Sequence, residues 1–514
     1  MPISQSNQVF NLVKSLSKSE KRNFRLYSGR IQDRNDLMYL KLFDVLDKSS
    51  DFEDKLVLKK MGNLSSVQYS NLKRHLYLQI LISLRHLHKE KKAYIKIREY
   101  IDFAYILYDK GLYIPALKIL DKAKKISLRN FTDFSALTII EIEKMIQSRH
   151  ITRTNTASIE ALVGEAFELG ETISSRVKIS NLQVLLHRYY IKNGHVRNKK
   201  EEENIKSFFN KNIQNFKITR LGMMEKVFFF QSYVWYYYIL NDFEKCYDYA
   251  FKWVELFEKS EELLRRDVDL YLRGYHYLMT SAFNTQRLRE YRIHLEDLER
   301  FRHEKYNTFN NNTKITSFFY VHFGRMNLHF LQGSFDLGVD GIKKTLLRMK
   351  RYKEYIDQHK AMILNYKIAW MYTGNEMYKK ANQHLLNIIN DTSFSLREDI
   401  QIYARLMHMM LHVDTESYDI LNYLIKNYRK YIVSTKDKNI FHELALRFFS
   451  ELARQPILER KRIYSKYLKE FSNLRKDKYA QRAFLYLDII SWLESKVENQ
   501  PISKVIKKKM KFAT

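Results

Sequence analysis

The stretch Arg98–Ser127 reads REYIDFAYILYDKGLYIPALKILDKAKKIS, and its pattern sets the reading of the whole chain. Two apolar stripes at helical spacing flank a break at Asp109-Lys110-Gly111. Pro115 falls in the first turn of the second stripe, where its missing N–H has no intrahelical partner to lose. Behind it, Ala116, Leu120 and Ala123 share one helical face. Small residues there let two helices approach closely. The stretch predicts two antiparallel helices joined by a tight turn.

The same grammar returns along the chain. Val234, Tyr237, Asn241, Phe243, Cys246, Ala250 and Trp253 repeat it, as do Ala369, Tyr372, Tyr378, Ala381, Leu385 and Ile388. Gly333, Phe335, Gly338 and Ile342 give a partial copy, and Leu288, Tyr291, Leu295 and Leu298 keep the apolar spacing alone. Turns within these pairs fall near residues 112, 242, 287, 334 and 376, with further turns near 155 (Thr152–Thr156), 197, 414 and 456. The step is about 43 residues, in the range of α-solenoids.

In its small and large positions around a Gly or Asn turn, this series resembles the tetratricopeptide repeat. In the first unit the matching residues are Ala104, Leu107, Gly111, Tyr113, Ala116, Leu120 and Ala123. The expected fold is all-α: a right-handed α-solenoid of antiparallel helix pairs over residues 96–498. A helical N-terminal domain or cap (1–95) precedes it, and a basic tail (499–514), expected to be disordered, follows. Each step is expected to divide into two helices of about 16–20 residues.

Composition agrees. Only 4 prolines and 13 glycines occur in 514 residues, too few for the tight turns of a β-rich chain. The lone cysteine, Cys246, excludes a disulfide framework within the chain and a thiolate metal cluster, and fits a reducing compartment. The N-terminus lacks the basic-then-apolar pattern of a secretory signal. The most apolar stretch, Val227–Leu240, stops at Asn241-Asp242, short of the roughly 20 residues that span a membrane. The reading is a soluble, cytoplasmic protein with no membrane insertion. The net charge of +31 points either to a phosphate-bearing partner or to a generally lysine-rich surface.

The first residues carry two capping boxes, Ser17/Glu20 and Ser65/Gln68. The second opens a helix with Tyr69, Leu72, Leu76, Ile80, Leu84 and Leu87 on its apolar face. These basic helices suit either a cap over the first repeat, the favoured reading, or a helix-turn-helix DNA reader.

No catalytic, cofactor or metal site is expected. His442-Glu443 begins a metalloprotease motif, but Leu446 stands where the second His belongs. His408 and His412 share a helical face, yet Met409 occupies the general-base position, and Glu416 could join them only if the helix ran on. Gly333 and Gly338 have phosphate-loop spacing without the Lys and Ser/Thr that hold phosphate and Mg²⁺.

The resemblance implies that the first helix of each pair lines a concave groove. By offset, that groove would be lined by Arg98, Tyr105, Tyr108, Gln231, Trp235, Tyr238, Arg273, His276, Tyr366 and Trp370. Aromatics with Arg make good anchors for a peptide, and they also stack bases or pack between repeats. The expected function is a non-catalytic scaffold that binds a protein segment. A nucleic-acid-binding regulator and a ligand-sensing solenoid are the alternatives.

Overall fold

The computed structural model describes residues 8–31, 38–62, 64–150, 156–350, 358–391, 398–435 and 439–511. Among these the chain is all-helical, without strands, and its helices pack in neighbouring pairs. It divides into two compact units, residues 1–173 and 174–514.

In the first unit, α1 (Gln8–Ser15), α2 (Lys18–Ile31), α3 (Met38–Lys48), α4 (Asp54–Met61) and α5 (Ser66–His88) enclose one core around Phe24, Leu42, Phe43 and Leu76. Both capping boxes form. The Ser17 N–H donates to Glu20 Oε2 at 2.7 Å, and the Ser65 N–H donates to Gln68 Oε1 at 2.8 Å. A second core holds α6 (Ala93–Asp109), α7 (Tyr113–Arg129) and α8 (Asp133–Arg149), where Ala104, Ala116, Leu120 and Ala123 are fully buried. The small residues thus sit where two helices meet. This pair belongs to the same compact unit as the N-terminal helices, so the division expected at residue 95 is a boundary between cores, not between units.

α9 (Thr156–Asn193) corrects a second expectation. Its 38 residues form one helix where two shorter ones were expected, because Gly164 and Gly170 are the sole breakers and neither ends it. The unit boundary falls inside it, where no loop composition could announce it. The turn expected at Thr152–Thr156 lies, apart from Thr156, outside the described residues.

The second unit continues with α10 (Lys199–Ile213), α11 (Met223–Ile239), α12 (Phe243–Glu258), α13 (Glu261–Arg266), α14 (Val268–Asn284) and α15 (Leu288–Lys305). Next come α16 (Asn311–Gln332), α17 (Phe335–Lys350), α18 (Gln358–Gly374), α19 (Tyr378–Ile389), α20 (Glu398–Asp414) and α21 (Leu421–Thr435). The chain closes with α22 (Ile440–Arg454), α23 (Arg460–Leu474), α24 (Gln481–Phe484), α25 (Ile489–Glu498) and α26 (Ile502–Lys511). The first helices α14, α16, α18 and α20 also adjoin one another in succession. Among the described residues no helix is long and apolar enough to cross a membrane.

One turn geometry recurs between paired helices. A residue in the left-handed region ends the first helix: Gly111 (φ 73°), Asn241 (59°), Gln286 (58°), Gly333 (63°), Glu376 (58°) and Glu416 (55°). The next N–H then reaches the carbonyl five residues back. Examples are Asp242 to Tyr237 (3.0 Å), Arg287 to Ala282 (2.9 Å), Ser334 to His329 (3.0 Å) and Met377 to Tyr372 (2.9 Å). This hydrogen bond satisfies a carbonyl that the helix end would otherwise leave open.

The C-terminal segment is a third correction. Within the segment expected to form a disordered tail, Ile502–Lys511 instead form α26, which packs on α25 and α16. Ile502, Val505 and Ile506 are buried. Space for this contact exists because residue 333 is glycine. A Cβ there would meet the Ser503 carbonyl oxygen at 2.7 Å.

Candidate binding site

The second unit encloses a cavity of about 940 Å³. Its wall is supplied by the first helices of successive pairs, together with the end of α9 and the segment from Arg475 to Met510. That late segment is tied down at both sides. Tyr366 Oη donates to the Tyr486 carbonyl at 2.8 Å. Glu202 on α10 accepts from Lys478 Nζ at 2.6 Å and from Tyr479 Oη at 2.9 Å. Bonds from Lys206 and Lys478 hold the Glu202 carboxyl down at about 2.

Six of the expected groove residues line this cavity: Trp235, Tyr238, Arg273, His276, Tyr366 and Trp370. Trp235 is mostly core, ringed by His187 (4.7 Å between centroids), Tyr190 (5.4 Å) and Tyr277 (5.1 Å). Gln231 is a correction. It is 1% exposed and is not part of the cavity wall, because α11 is buried on nearly every face. Arg98, Tyr105 and Tyr108 belong to the first unit and lie on its own surface. Arg98 lines a shallow pocket with Arg85, Tyr94 and Asp102, Tyr105 is exposed, and the Tyr108 hydroxyl accepts from Arg149 Nη1 at 3.1 Å.

The charges of the cavity are unbalanced. Arg273, Lys360, Lys367, Arg475 and Lys509 line it, against one carboxylate among the described residues, Asp488. Asp488 is engaged, accepting from the Ser491 N–H at 3.0 Å as the cap of α25. Lys509 is paired with Glu494 at 2.5 Å. Among the described residues Lys367 has a single polar contact, Asn327 Oδ1 at 2.5 Å, and lies 6.0 and 5.7 Å from the rings of Phe323 and Phe330. Burial brings its ammonium down to about 8. Burial, with the charges of Lys367 and Arg273, also pulls His276 down to about 4, so this imidazole is neutral. His276 stacks on Tyr320 at 4.6 Å. Burial raises the Tyr320 hydroxyl, and the adjacent Arg273 guanidinium opposes that rise.

The paired histidines and Cys246 are engaged within the packing of their own helices. His408 and His412 meet at 3.1 Å, with burial taking His408 down to about 4. α20 ends at Asp414 and Glu416 sits in the left-handed turn, so the helix does not carry Glu416 onto their face. His442 meets the Tyr428 hydroxyl at 2.6 Å inside the core. Cys246 is buried against the Val234 carbonyl, its thiol pushed up to about 12. Such a thiol is unreactive.

Lys367, Tyr320 and Asn327 were not expected at the site. Offsets within the repeat select only a few positions per helix, and a missing counter-charge is visible only in three dimensions. Comparison with known protein families, with curated proteins and with solved structures returned no match.

Proposed function

We propose that this chain is a non-catalytic, cytoplasmic adaptor whose second unit binds a segment of another protein in the cavity. In this reading the helix pairs are a divergent tetratricopeptide-like array, a right-handed solenoid with a step of about 43 residues. The observation that carries the proposal is the wall itself. Consecutive first helices place partly exposed rings and cationic side chains, Arg273 and Lys367 among them, around one concave space. Rigid rings bury large area at low entropic cost, and the charges fix orientation.

The nucleic-acid reading has less support. Two basic residues of α2 are paired with acids of α3: Arg25 with Asp44 and Asp47 at 2.8 and 2.9 Å, and Lys21 with Asp47 at 2.6 Å. One observation favours the ligand-sensing alternative: a volume of about 940 Å³ lies at the upper end of small-molecule sites.

The test is affinity capture of the tagged full-length chain from its own cells, with and without nuclease, beside Trp370→Ala. The adaptor reading expects the same one or two proteins after nuclease and their loss from the Trp370→Ala sample. Proteins that vanish on nuclease, or that ignore the substitution, contradict it. A small ligand would show as a rise in melting temperature with metabolite extract depleted of macromolecules.

A further inference from the structure

We propose that the Lys367–Arg273 region of the cavity is a carboxylate site, and that the bound segment carries an Asp or Glu flanked by aromatic or aliphatic residues. This rests on the adaptor reading and names the chemistry of its partner.

An ammonium has three donors. Lys367 spends one on Asn327, and its other near neighbours are the rings of Phe323 and Phe330. Arg273 stands against the Tyr320 hydroxyl and forms no ion pair with a described carboxylate, although its charge reaches Asp267 at the start of α14 and Asp269 acts on the same hydroxyl. His276 lies close enough to feel both charges and does not add a third. Lys367 on α18 and Arg273 on α14 flank α16, which carries Asn327 and Tyr320. Donors therefore converge on the space from three helices. The one carboxylate of the wall, Asp488, is held at its helix cap and cannot swing in without uncapping α25.

Uncompensated cations in an enclosed site are costly to fold around, and an arriving anion removes that cost. The remaining wall is mixed and carries several rings, Trp370, Tyr366 and Phe484 among them. A bare anion would leave those rings exposed. An acid with apolar neighbours satisfies both parts of the wall.

The experiment pans a randomised nonapeptide library against the immobilised full-length chain and sequences what is retained. Retained peptides are expected to be enriched at least tenfold in Asp or Glu next to an aromatic or aliphatic residue. Lys367→Met and Arg273→Gln should each remove the acid preference and keep the apolar one, while Trp370→Ala loses retention. Circular dichroism melts confirm that each variant is folded. Retained peptides with no acid excess, still sensitive to Trp370→Ala, overturn the carboxylate site and leave the adaptor reading standing. No enrichment over blank matrix overturns both. Displacement of every acidic peptide by micromolar glutarate would make the occupant a small dicarboxylate and overturn the peptide assignment.

Discussion

Lys367→Met should stabilise the protein at neutral pH, although it removes a charge and a hydrogen bond. A lysine ammonium normally gives up its proton near 10.5, and burial brings Lys367 to about 8. The unfolded chain therefore holds this proton more tightly than the folded one between pH 8 and 10.5, so wild-type stability rises with pH through that window. Below pH 8 the penalty is present in full. At about 1.4 kcal/mol per pH unit it reaches about 3 kcal/mol at pH 7, and it shrinks to under about 1 kcal/mol at pH 10. Loss of the Asn327 contact returns about 1 kcal/mol, leaving an expected gain near 2 kcal/mol at pH 7 that is absent at pH 10. The other charged residues that line this cavity are Arg273 from α14, Lys360 on the same helix as Lys367, and Arg475, Asp488 and Lys509 from the C-terminal segment. The assay is urea unfolding at both pH values, following the fluorescence of the four tryptophans. A variant less stable than wild type at pH 7, or a gain of equal size at both pH values, refutes the argument that Lys367 is an uncompensated buried cation.

Other consequences can be measured on the same scale. Glu376→Gly and Glu416→Gly remove side chains from left-handed turn positions and should each stabilise by about 0.5–1 kcal/mol, read as a higher urea midpoint at unchanged slope. Gly374→Ala should do the reverse, because a Cβ there runs into the Phe335 ring; a loss of about 1–3 kcal/mol is expected by the same measurement. Arg176 and Glu225 form a buried pair at 2.6 Å, so Arg176→Met, which strands the carboxylate, should cost about 3–5 kcal/mol and lower the thermal midpoint of the second unit.

The helix pairs were legible because their turns and contacts have local signatures. Gly111, Gly333 and Asn241 are residues that tolerate the left-handed region, and the small faces at Ala104, Ala116 and Ala381 mark close approach. Gln286, Glu376 and Glu416 adopt the same turn without that signature, and only their spacing pointed to them. The long α9 was missed because continuity leaves no mark beyond the absence of breakers. α26 was missed for a different reason. Ile502, Val505, Ile506 and Met510 recur at helical spacing, but five lysines among them make the segment read as a solvated tail. At the site, the offsets implied by the tetratricopeptide resemblance brought out ring-bearing positions such as Tyr366 and Trp370. It could not distinguish Gln231, turned into the core, from Tyr238, which reaches the cavity wall. Lys367 looked like any other lysine of a chain with 89 basic residues.

The central claim is that the second unit's cavity is where a partner binds. The most direct measurement is amide hydrogen exchange on the full-length chain, with and without the captured partner or a retained acidic peptide. Binding in the cavity should slow exchange along α14, α16 and α18 and across Arg475–Leu487, with α2 and α3 unchanged. Protection confined to α1–α5, or absent from α16 and α18 while the partner is demonstrably bound, would place the interface elsewhere and contradict it.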